Sequence, residues 1–99
     1  LVVGLCLGSY VLAAAGLLSG RHATTHWRSL DWMQTSFPDV TVERDQHVVI
    51  DGSLITSAGI SAGIDMALTV VGIYCGSDVA AASARHMEYP FNTSNTRRI

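Results

Sequence analysis

Near the start of the chain, Gly4-Leu5-Cys6-Leu7-Gly8 places a cysteine two residues from a glycine on each side. G-x-C-x-G is the cysteine form of the nucleophile elbow, in which a strand turns sharply into a helix and holds a reactive side chain above a sheet. Such a turn asks for small residues two before and two after the nucleophile. It also aims the first helical amides, beginning with that of Leu7, at the space above the sulfur, where they can stabilise a thiolate or an oxyanion. The alternative is that Cys6 is one more small apolar residue of the core, as most free cysteines are. His26 is the candidate partner. It follows Thr24-Thr25 at the end of a predicted strand, where ligands of open α/β sheets gather, and from there it could share a proton with Cys6. Its alternative role is to begin a helix and be held by local hydrogen bonds.

The remaining chemistry-bearing residues are weaker candidates. Cys75 ends an apolar helix beside Tyr74 and Gly76 with no basic neighbour, and reads as structural. His22, His47 and His86 occur singly and read as surface residues. No His, Cys or carboxylate pair has metal-ligand spacing, so no metal and no cofactor is expected. The loop Gly59-Ile-Ser-Ala-Gly63 could cradle an anion before a helix, but it lacks a phosphate-loop Lys and a third glycine. Asp65, in the first turn of that helix, reads as a complement to its dipole.

The elements that must position these residues follow from hydropathy and punctuation. Residues 1–18 carry no charge, which would suit a membrane or signal segment. Gly4, Gly8 and Gly16 break that run, and it changes from β-branched residues to helix formers. It therefore reads as a buried strand, a glycine turn and a helix over Ser9–Ala15. A strand at Arg21–Thr25 follows, then an amphipathic helix from His26 to Phe37 with Trp27, Leu30, Met33 and Phe37 on one face. Val40–Glu43, His47–Ile50 and Leu54–Ser57 read as strands, the last two joined at Asp51-Gly52. Helices are expected from Ala62 to Tyr74 and, capped by Gly76-Ser77-Asp78, from Val79 to Met87. The tail, Glu88–Ile99, reads as extended or draped.

The order β-α-β-α-β-β-β-α-α predicts an α/β sheet with helices on both faces. Ninety-nine residues allow one domain at most, and 48% hydrophobic with 14% charged residues excludes a disordered chain. All six basic residues are Arg and the net charge is −2, which leaves no footprint for nucleic acid and no polybasic membrane patch. A chain this apolar looks like the interior of a larger domain, with one sheet edge left open.

Four segments together resemble the ThiJ/PfpI family, a branch of the class I glutamine amidotransferase-like superfamily. They are Gly4-Leu-Cys6-Leu-Gly8, Ala-Ala-Ala-Gly-Leu-Leu-Ser-Gly-Arg (13–21), Ala-Thr-Thr-His-Trp (23–27) and Ile-Thr-Ser-Ala-Gly-Ile-Ser-Ala-Gly-Ile-Asp (55–65). They fall in the family's order and spacing, and the likeness covers residues 1–90. The versions seen here are most similar to sensor-like domains joined to AraC-type regulators and to isonitrile hydratase-like enzymes. The resemblance implies a flavodoxin-like three-layer sandwich of which residues 1–99 form the C-terminal part. It also implies a cytoplasmic homodimer, with Cys6 as nucleophile, His26 beside it and the Leu7 amide at the oxyanion. Gly4, Gly8, Thr25, Trp27 and Gly59 would line the pocket. In the family a carboxylate from an earlier strand tunes the cysteine. That strand would precede residue 1, so the 99 residues alone are expected to be catalytically poor and to need the domain's N-terminal half as partner.

Leu7 stands where peptidase-like members carry a His, which argues against proteolysis, and no DNA-binding module lies within these residues. The expected ligand is a small electrophile that is hydrated or hydrolysed. The alternatives are a non-catalytic ligand sensor of an AraC-type regulator, or a cysteine that responds to oxidants.

Overall fold

The β-branched pair Val2-Val3 opens the first strand, and the computed structural model describes the whole of Leu1–Ile99. Strands β1 (Val2–Leu5), β5 (Leu54–Ser57), β4 (Val48–Asp51) and β6 (Thr96–Arg98) form one sheet in the order β1-β5-β4-β6. β1 runs parallel to β5 with Gly4 opposite Thr56, and β6 runs parallel to β4. Only the β4–β5 hairpin is antiparallel. Gly52 turns it with φ of 60°, which a residue without Cβ adopts at no steric cost. Two short parallel strands, β2 (His22–Ala23) and β3 (Thr41–Val42), pair beside this sheet.

The period-2 alternation of β5 sends its residues to two cores. Leu54 packs with Ala13, Leu18, Ala23, Met33, Val40 and Val42, the layer built from α1 (Gly8–Ala14), α2 (Leu30–Ser36), β2 and β3. Ile55, fully buried, points the other way onto Val48, Ile50 and Met66 of α3 (Ala62–Cys75). Burying such a side chain on each face stabilises by about 1.5–3 kcal/mol. α4 (Ser77–His86) packs on α3 through Ala80, whose Cβ faces Gly72. The result is the expected α/β arrangement with helices on both sides of a mainly parallel sheet. No helix is long and apolar enough to cross a membrane.

Four local expectations need correction. β1 is not buried: Val2, Val3 and Leu5 are 40–50% exposed because β5 is its only neighbour. The helix expected from His26 begins as a 3-10 turn, Trp27–Ser29, and becomes α-helical only at Leu30. That offset swings Trp27 out of the apolar stripe, leaving it 67% exposed while Met33 is fully buried. Gly76, at φ of 98°, stops α3, and no side chain caps the helix that follows. The tail is not merely draped, since Thr96–Arg98 adds β6 to the sheet.

Candidate functional site

Cys6 closes β1 with φ of 51°, in the left-handed region that costs an L-residue of order 1–3 kcal/mol. Three contacts hold it there, two from β5 and α1 and one from the segment after β2. Its N–H donates to the Ser57 carbonyl at 3.2 Å, tying it to the end of β5. Its carbonyl accepts from the Ser9 N–H of α1 at 3.4 Å and from the buried Thr25 hydroxyl at 2.8 Å. A strained residue fixed by three neighbours is over-determined, as functional turns are. Cys6 is part-exposed and free.

The two flanking glycines are unequal. A Cβ on Gly4 would lie 2.9 Å from Leu12 Cδ1, a side-chain end that can move, and 3.2–3.3 Å from Ser9 Oγ and Cα, so the close approach of α1 to β1 favours glycine at residue 4. At Gly8 a Cβ would meet nothing within 4 Å, and the steric demand expected there is absent. Ser9 is fully buried and donates from Oγ to the Thr24 carbonyl at 2.9 Å, clamping α1 to the segment that runs from β2 to His26. Leu7 caps α1 with its side chain exposed, and its N–H donates to no backbone carbonyl.

His26 caps the 3-10 turn, its Nδ1 accepting from the Arg28 N–H at 3.2 Å. This is the local hydrogen bond considered for it, and it leaves Nε2 as the nitrogen that can serve another group. The ring lies against Gly59, where a Cβ would come within 3.3 Å of Cδ2, and is stacked near Trp27 with ring centroids 5.8 Å apart. No hydrogen bond joins His26 to Cys6. Thr25, Trp27 and Gly59 meet in a cavity of about 450 Å³, also lined by Thr24, His47 and Ser61. One unpartnered polar atom lies close by: Ser57 Oγ is buried without a hydrogen-bond partner, on the residue whose carbonyl holds Cys6.

A family model, DJ-1/PfpI, matches residues 1–72. The chain belongs to the DJ-1/PfpI family. It is 43% identical over 98 residues to isonitrile hydratase of Pseudomonas putida, a match covering 95% of this chain and 42% of that protein. It is 46% identical over 77 residues to the HTH-type transcriptional regulator CdhR of Pseudomonas aeruginosa, covering 78% of this chain and 23% of the regulator. Among solved structures, a ThiJ/PfpI family protein from Pseudomonas syringae superposes with a TM-score of 0.78 at 36% identity, over 93% of this chain and 38% of that one. Drosophila melanogaster DJ-1beta gives 0.80 at 26% identity, over 92% and 47%. The chain thus spans less than half the length of the DJ-1/PfpI relatives it matches. These neighbours fix the fold as the flavodoxin-like kind, and both enzymes and regulators share it.

Sequence reasoning passed over several site residues. His47 and His86 are exposed as expected and His22 is half-buried, but His22 and His47 each have a carboxylate partner. His22 Nδ1 lies 2.7 Å from Glu43 Oε1, and His47 Nδ1 lies 3.3 Å from Asp65 Oδ2. Asp65 is buried, accepts from the Tyr89 hydroxyl at 2.9 Å, and does more than face a helix dipole. One clue was available, since Asp65 is the sole charge in the fourteen-residue α3. Cys75 is exposed, not a core residue.

Proposed function

We propose that this DJ-1/PfpI domain uses Cys6 as a nucleophile toward a small electrophile, in hydratase or amidohydrolase-like chemistry. The left-handed backbone of Cys6 carries the reading, because Ser57, Ser9 and Thr25 together hold a strained conformation at a part-exposed thiol. The Cys6 thiolate adds to the carbon of a nitrile or isonitrile; a proton goes to the nitrogen of a nitrile, giving a thioimidate, or to the terminal carbon of an isonitrile, giving a thioformimidate. Water then adds to the same carbon, the C–S bond breaks, and the thiolate leaves with an amide or formamide as product. The Leu7 amide would bear the oxyanion formed in the second step, and His26 Nε2 would carry the proton. The full domain, with its N-terminal half and a second copy of itself, is the working unit in this reading, and the cytoplasm its setting.

The test is alkylation of the full-length protein by iodoacetamide at pH 7, read at both cysteines by mass spectrometry. Exposed Cys75 is the internal standard. Cys6 is expected to react at least ten-fold faster, and equal or slower labelling would remove the nucleophile reading.

The regulator relative, 46% identical over 77 residues, favours a second reading, a sensor that binds a small molecule without turnover. A fast-alkylating Cys6 that yields no formamide from an added alkyl isonitrile would favour the sensor.

A further inference from the structure

The cavity of about 450 Å³ holds a polar device that the Cys6 chemistry does not use. Its wall includes His47, Gln46, Asp45, Ser61, Trp27 and Leu30, and its lining contains neither Lys nor Arg. Behind His47 lies the Asp65 carboxylate, with its side chain only 10% exposed. A buried carboxylate must be satisfied, and Asp65 is, from two sides. The Tyr89 hydroxyl donates to Oδ1 at 2.9 Å, and His47 Nδ1 lies 3.3 Å from Oδ2. Burial first, then the hydrogen bond to Asp65 and its charge, push the Tyr89 phenol above its ordinary value, so it remains a donor at neutral pH.

An ionised carboxylate can only accept, so Nδ1 of His47 must carry a hydrogen. In the neutral ring that assigns the lone pair to Nε2. A carboxylate that sets the tautomer of an imidazole in this way is the arrangement that orients metal-binding and catalytic histidines. Here Nε2 has no partner within the protein, and the side chain is half exposed where it lines the cavity.

We propose that His47 Nε2 is the preset hydrogen-bond acceptor of this cavity, held by Asp65 and Tyr89 as positioning residues, and that the cavity takes a small uncharged amide. The amide N–H donates to Nε2, and its apolar body rests against Trp27 and Leu30. Ser61 and Gln46 on the same wall supply donors for its carbonyl. The absence of a cationic lining residue and the Asp45 carboxylate exclude a carboxylate of the same shape.

Propionamide and propionate are therefore the probes, titrated into the full-length protein with ¹⁵N-labelled imidazoles. The readout is NMR, not turnover, so it stands or falls apart from Cys6. The expected spectrum shows His47 as the Nδ1–H tautomer, with a saturable shift of Nε2 on adding propionamide and none with propionate. Asp65→Asn, whose amide can donate as well as accept, should mix the tautomers and weaken propionamide, and His47→Gln should weaken it at least ten-fold. A His47 that carries its hydrogen on Nε2, or a ring that neither probe shifts, would overturn the proposal and leave an ion pair that only supports the fold. Because the unsubstituted protein supplies that answer, a variant that fails to fold does not decide it.

Discussion

The Thr25 hydroxyl donates to the Cys6 carbonyl across nineteen positions of sequence, at 2.8 Å. This bond joins the segment between β2 and His26 to the elbow, and it is one of the three contacts that hold the left-handed peptide. Thr25→Val keeps the shape and removes the donor. It should destabilise by about 1–2 kcal/mol and slow iodoacetamide labelling of Cys6, with Thr25→Ser restoring both. Urea unfolding and labelling rates check it, and a Thr25→Val protein that labels at the original rate would separate the hydroxyl from the elbow.

Gly4 and Gly8 should answer oppositely to the same substitution. Gly4→Ala drives a methyl to 2.9 Å from Leu12 and should cost about 1–3 kcal/mol. Gly8→Ala meets open space at the first residue of α1 and should be neutral or stabilising by up to about 1 kcal/mol. Paired denaturation curves decide it.

Acid should loosen the junction between β4 and β2 through Asp51. Its carboxyl is held below the ordinary value, first by the His22 backbone N–H at 2.8 Å and then, against the opposing effect of burial, by Arg21 at 3.3 Å. A depressed folded-state value means the unfolded chain binds the proton more readily. The stabilisation is then complete above the unfolded carboxyl range, near pH 4, and is lost as pH falls through the folded value. The stability gap between the natural protein and Asp51→Asn should be widest at pH 7 and shrink toward pH 3. Urea midpoints across that range measure it, and a constant gap would refute the linkage.

Ser57→Ala deletes a buried hydroxyl that has no partner. Removing an unsatisfied polar group should leave stability unchanged or raise it by up to about 1 kcal/mol. A loss of more than that, seen in thermal unfolding, would mean the hydroxyl is satisfied in solution.

Much of the elbow was legible because its cause is local. A strand-to-helix turn favours Gly4, and the change from Val2-Val3 to Ala13-Ala14 marks where one element becomes the other. The Leu30, Met33 and Phe37 part of one helix face and the Asp51-Gly52 turn were readable for the same reason. Pairings made across long stretches were not. Nothing near His47 in sequence points to Asp65, and nothing near Asp65 points to Tyr89, since these meet only when β4, α3 and the tail converge. The exposure of Trp27 was hidden too, because a single 3-10 turn shifts the stripe by a fraction of a turn. The polar tail gave no periodicity from which to foresee its pairing with β4.

That tail has a consequence for how the molecule comes apart. Thr96 sits opposite Val48, and the Ile99 N–H reaches the Ile50 carbonyl at 2.8 Å, so β6 closes a loop that contains both α3 and α4. Closing so long a loop is entropically costly and rewards the chain late. The β6 amides should therefore be the first of the sheet to exchange with solvent. Once they open, the helical layer on that face is tethered at one end only, like a page held by its spine.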